Sequence, residues 1–286
     1  MNYCKVLNLI FLLISFGLFS QSNILNSSTP DQIGKKNIDQ PQSDQDSFLE
    51  YNFIDDRDIL WSKIVYEKID LDEKLNFPLL FPVDDNLYEN NRKSLWRVLR
   101  DNIINKNITE IYKANNSNFK SENKLRFTAA DSIIQLIKEA SPGKFKADVI
   151  SSKDITGYEI KGMWYFDKKI SELRYRLLGI LPIGRNVAKK GAKDKERITR
   201  FFWIWYPSIR ELLHKEKVYN DKNAATSITF DQLLVARRFN AYIYKEDNMY
   251  EDRAIEKYKK AGLESILESE RIKKEILDFE QDMWNR

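Results

Sequence analysis

The chain has 286 residues, 42% hydrophobic and 13% aromatic, with 47 basic and 43 acidic side chains and a formal charge of +4. That is enough apolar material for a real core, which excludes global disorder, and the charge is too mild to argue for nucleic acid. One histidine (His214), one cysteine (Cys4), and no Gly-rich phosphate loop or G-x-S-x-G elbow leave carboxylates as the only catalytic class open; no metal or cofactor is expected.

The amino end carries a short charged start (Lys5), a 14-residue apolar run from Val6 to Phe19, and small residues at Ser20 and Ser22. This is the pattern of a secretory signal peptide over residues 1–22, and the run is short for a membrane span. An uncleaved N-terminal anchor is the competing reading. Cleavage near Ser20–Ser22 leaves about 264 residues without cysteine, and Cys4 lies too early to become the lipidated first residue of a lipoprotein. Stability then has to come from packing rather than disulfides.

Residues 23–50 are rich in Asn, Gln, Ser and Asp and poor in large apolar groups, so they read as a flexible arm or linker before a domain over 51–286. Within that domain, Leu60, Trp61, Ile64 and Val65 stand at helical spacing, followed by strand-like alternation through Ile69 and Leu71. Phe77 to Pro82 reads as an extended apolar stretch. Ser94 suits the N-cap of a helix bearing Leu95, Trp96, Val98, Leu99 and Ile103. A short strand over Ile108 to Tyr112 follows, then a helix from Ala129 to Glu139 that stops before Ser141-Pro142-Gly143.

Ile155 to Phe166 and Leu173 to Ile183 read as a hairpin. In its second strand Leu173, Tyr175 and Leu177 alternate with Arg174 and Arg176, which predicts one buried and one wet face. Phe201 to Tyr206 is apolar on both faces and predicts a central strand, with Pro207 opening a helix that carries Ile209, Leu212 and Leu213. Thr229 and Gln232 form a capping box for a helix reaching Phe239, and Ala241 to Tyr244 reads as a last strand. The tail from Ala254 to Trp284 predicts a long, mostly charged helix with a narrow stripe of Ile272, Ile276, Phe279 and Met283. The expected fold is α+β: a single compact domain with a central, mostly antiparallel sheet, flanking helices, a flexible N-terminal arm and a long C-terminal helix.

Five features carry candidate chemistry. The basic run Arg185 to Arg200, with Lys189 and Lys190, suits an acidic partner or anionic headgroups, or is a solvated loop. Asp55, Asp56, Asp58, Asp70, Asp72 and Glu73 offer paired carboxylates for glycoside or metal chemistry, or are helix-start acids favoured by the macrodipole. Trp203, Trp205 and Tyr206 form either a sugar platform or core aromatics, and His214 suits a helix carboxyl end. The tail stripe packs on its own core or lies in a groove of a neighbouring subunit.

Four stretches together resemble the gliding motility protein N family (GldN/PorN) of the type IX secretion system. They are Asp58 to Tyr66 with Ile69 to Pro78 and Phe81-Pro82; Trp164 to Lys169 with Leu178 to Pro182; Arg237 to Glu246 with Asn248 and Arg253; and Leu277 to Trp284. Departures fall at Asp72, where the family usually carries Arg, and in the basic insert around 185–200. The resemblance implies a non-enzymatic periplasmic protein under the outer membrane. Its implied partners are the outer-membrane lipoprotein K subunit, copies of itself in a ring, and the inner-membrane motor subunits L and M, with no nucleic acid and no membrane span of its own. Interface candidates are Arg185, Lys189, Lys190, Arg237, Arg238, Ile276, Phe279, Met283 and Trp284. The alternative function is a periplasmic carbohydrate-binding or carbohydrate-processing protein using the acidic cluster with Trp203 and Trp205.

Overall fold

The computed structural model describes residues 48–84, 92–141, 144–185, 198–218, 228–250 and 252–284. The segment expected to be a signal peptide, most of the expected arm, Lys189 and Lys190 lie outside the described residues. In chain order come β1 (Ile59–Asp70), α1 (Phe77–Leu80), α2 (Leu95–Ile104), β2 (Ile111–Lys113), α3 (Phe127–Ile134), β3 (Gln135–Ser141), β4 (Lys144–Val149), β5 (Ile155–Asp167) and β6 (Glu172–Arg185). Then follow β7 (Ile198–Arg200), β8 (Phe202–Trp205), α4 (Arg210–Lys215), β9 (Lys217–Val218), β10 (Ile228–Thr229), α5 (Phe230–Val235), β11 (Tyr242–Glu246) and α6 (Gly262–Trp284).

The main sheet is antiparallel, in the order β11-β1-β5-β6-β8-β2, with β7 paired to the far end of β6. The β5–β6 hairpin is the expected one. Strands β7 and β8 lie along one edge of β6 on either side of Phe201, whose amide bonds Pro182 O at 3.1 Å. Successive residues of a strand face opposite sides. Phe202 and Ile204 therefore join a large core with Ile69, Tyr158, Leu99 and Phe230, while Trp203 lies in a second cluster with Tyr66, Leu181 and Ile183. Each fully buried aliphatic in these clusters contributes roughly 1.5–3 kcal/mol.

Several local signals hold. Ser94 Oγ accepts from Arg97 N at 3.1 Å and caps α2, and Trp96 of that helix donates Nε1–H to Ile150 O at 3.0 Å. Thr229 and Gln232 close both halves of the capping box at α5. His214 lies in the last turn of α4, where positive charge suits the dipole.

Others are corrected. Residues 59–66 are strand, because β5 pairs with β1 along its length and β11 joins the other edge from Val65 onward; a register shift between Ile59 and Trp61 breaks the alternation and mimics helical spacing. Phe77 to Leu80 is a short helix with Pro78 in its first turn, a place where a missing N–H costs nothing. The helix expected to reach Glu139 ends at Ile134, and the chain turns into β3, paired with β4; Pro142-Gly143 separates two strands rather than ending a helix. The helix opened at Thr229 stops at Val235, and Arg237 adopts φ 51°. The tail helix begins at Gly262.

The β6 alternation is also qualified. The Arg176 guanidinium lies 4.9 Å from the Tyr51 ring and 5.5 Å from that of Tyr165, and donates to Asn52 O at 2.7 Å. Its face is covered by residues 48–52, a strap also held by Arg210, whose guanidinium stacks 4.8 Å from Phe48 and 4.2 Å from Tyr51. Arg210 in turn pairs with buried Asp231 through 2.9 and 3.0 Å bonds. Folded structure thus includes Phe48 to Glu50, which the sequence places in the arm.

Candidate functional site

Helix α6 settles onto the sheet through Ile272 and Ile276, which are buried with Val65 of β1 and Ile243 of β11. Phe279 stacks on Trp61 at 4.7 Å and 19°. The tail stripe therefore packs on the chain's own strands. Met283 is half-buried and Trp284 closes the helix. On the opposite side of α6, at 100° per residue, Leu263, Ile266, Leu267 and Leu277 form a second stripe, each more than half exposed. One helix carries two apolar faces, and the fold covers one.

Arg237 is not at an open surface. Its guanidinium makes two bonds to Glu67, at 2.8 and 2.7 Å, and lies 4.2 Å from the Tyr175 ring. The Glu67 side chain is 2% exposed. Tyr175 reaches this pair because Gly162 leaves room for its ring, which a β-carbon there would strike. Arg238 and Arg185 are exposed.

The acidic residues do not converge. Asp58 pairs with Lys169 at one end of β1, while Asp70, at the other, accepts from Asp72 N. Those ends are roughly 40 Å apart for a strand of 12 residues. Glu73 accepts from Asn240 Nδ2, and Asp55 pairs with Arg57. Trp203 is buried, as a core aromatic, and Trp205 is half-buried. Among the described residues no group of three His, Cys, Asp or Glu could hold a metal ion.

Of the residues that do come together, only Trp203 and Arg200 stand among the sequence candidates, in the aromatic strand and at the end of the basic run. In the β1–β11 pairing Tyr66 opposes Lys245 and Glu67 opposes Ile243, so Tyr244 is the extra residue of a bulge. The bulge brings both Tyr244 and Lys245 to Tyr66: the tyrosine rings are 6.3 Å apart, and Lys245 Nζ stands 4.5 Å from the Tyr66 ring. From β5, Lys161 Nζ lies 5.4 Å from that same ring and donates to Ser117 O at 2.8 Å. Glu159 accepts from Tyr244 Oη at 2.7 Å and from Arg200 at 2.6 Å. Tyr66, Ser117, Arg200, Trp203, Tyr244 and Lys245 thus line a cavity of about 290 Å³, closed on one side by Asp252 and Lys257. A wider depression of about 430 Å³ along α6 is shallow, and its Arg271 is already paired with Glu268 and Glu275.

Burial pushes the Lys161 ammonium below its usual range, and the Lys245 charge pushes it the same way. Burial and Glu159 push the Tyr244 phenol up. The alternation Tyr158-Glu159-Ile160-Lys161 is a further sequence signal for this recess, since it sets two opposite charges on one face of a strand.

A helix-covered antiparallel sheet whose other face carries a charged, aromatic recess defines the chain as an α+β protein. The family model of the gliding motility associated protein GldN matches residues 54–285, and the chain belongs to that family. It is thereby a component of the gliding motility and type IX secretion machinery. No curated protein matches it. No helix among the described residues is long and apolar enough to cross a membrane.

Proposed function

We propose that this chain is a non-enzymatic periplasmic ring subunit of the type IX secretion and gliding machinery, held at the inner face of the outer membrane by a lipoprotein K subunit. Its other contacts are copies of itself and the inner-membrane motor subunits L and M. The observation that carries this reading is family membership across nearly the whole folded region. The uncovered residues Leu263, Ile266 and Leu267, gathered in the first turns of α6, support it, since contiguous apolar surface on a folded chain marks a contact site. We assign that patch to the neighbouring copy in the ring.

Co-expression with the K lipoprotein, followed by sizing and imaging of the purified material, tests the proposal. A large ring containing both chains is expected. Separate elution of the two chains, each folded, overturns it.

A further inference from the structure

We propose that the recess between Tyr66, Trp203, Tyr244 and Lys245 is a binding site for a carboxylate side chain presented by an extended acidic peptide segment of a partner protein. This goes beyond the ring reading and does not depend on it.

The charges are the first argument. Arg200, Lys245, Lys257 and Asp252 line the cavity, and Lys161, Glu159 and Asp247 stand beside it, so four cations meet three carboxylates and leave one positive charge. Arg200 is satisfied by Glu159 through bonds at 3.0 and 2.6 Å. Lys161 and Lys245 have no carboxylate partner among the described residues, and each presents its ammonium to the Tyr66 ring instead. Two ammonium groups around one ring repel each other, which agrees with the lowered pKa of Lys161. A single carboxylate on the cavity side of Tyr66, against Lys245 and Lys257, neutralises the excess; a phosphate dianion overshoots it.

Size and lining are the second argument. About 290 Å³ holds a side chain or two and no large ligand. The walls of Tyr66, Trp203 and Tyr244 suit the apolar stem of Glu or a neighbouring ring. Trp203 Nε1–H is buried without a hydrogen-bond partner among the described residues, a donor still to be satisfied beside the recess. The site is open at the sheet surface, where an extended segment can lie.

The test is calorimetric titration of the purified chain with acetyl-Ala-Glu-Tyr-amide and with its Gln counterpart, plus Lys161→Met and Lys245→Met variants. Saturable binding of the Glu peptide is expected. The Gln peptide and each variant should bind roughly tenfold more weakly, as loss of a charge-assisted hydrogen bond predicts. Lys161→Met should melt no lower than the parent, and half-buried Lys245 offers a second variant that leaves the core untouched. No saturable binding, equal binding of the two peptides, unchanged affinity in both variants, or displacement by an equal concentration of inorganic phosphate overturns the assignment. Because a lone subunit is titrated, failure of ring assembly leaves this result unaffected.

Discussion

Arg237 reaches Glu67 across 170 residues of sequence and holds it with two parallel bonds, so the loop after α5 is locked to the middle of β1. The pair is enclosed by Trp164, Tyr175 and Phe239. Removing one partner of such a pair leaves an uncompensated charge, whereas replacing both with apolar groups is often neutral. Arg237→Met alone should cost about 3–5 kcal/mol in urea unfolding. The double variant Glu67→Leu/Arg237→Met should recover most of that loss, which a mere loss of packing would not allow.

Helix α6 makes opposite predictions for its two sides. Ile272→Ala should cost about 2–5 kcal/mol, because Ile272 is fully buried against β1 and β11. Ile266→Glu and Leu267→Glu should change the stability of the isolated chain by no more than about 0.5 kcal/mol, yet abolish ring assembly. Thermal melts paired with sizing of the complex separate the two. Deleting residues 270–286 removes Ile272, Ile276 and Phe279 together and should abolish the cooperative melt.

Gly162→Ala should destabilise by about 1–3 kcal/mol, since the new methyl group meets the Tyr175 ring beside the Arg237–Glu67 pair. Gly162→Ala combined with Tyr175→Leu should lose less than the two single effects added, read by double-mutant cycle in urea.

Burial pushes the phenols of Tyr51 and Tyr112 up to about 12. A folded pKa above the unfolded value of about 10 favours folding in the protonated state, so the contribution is complete below about pH 10 and is lost between about 10 and 12. A tyrosinate absorbance titration should show Tyr51 and Tyr112 among a group of late-ionising phenols that also includes Tyr158, Tyr175, Tyr206 and Tyr244, and Tyr112→Phe should remove one of them without changing the acid limb of the stability profile.

Local devices were legible in the sequence. The Ser94 cap, the Thr229 box and the long hairpin each depend on residues a few positions apart or on one turn. What escaped was decided by distant partners. Residues 59–66 are a strand because the distant β5 pairs along them and β11 takes the other edge from Val65, and no local spacing announces that. Arg237 looked like an interface cation because Glu67 is far away in the chain. The recess is assembled by β1, β5, β7, β8 and β11, and its key alignment comes from a bulge at Tyr244 that periodicity cannot reveal.

The strap over Arg210 has a mechanical consequence. Phe48 and Tyr51 stack on a guanidinium already anchored to Asp231, and Tyr51 Oη donates to Leu177 O at 3.3 Å. A load applied to the chain at Phe48 therefore passes into helix α4 and the middle of β6 before it reaches any loose segment. Tension at that point must first peel two aromatic rings from one arginine, which makes the strap the first element to yield and the gauge of how much pull the folded unit bears.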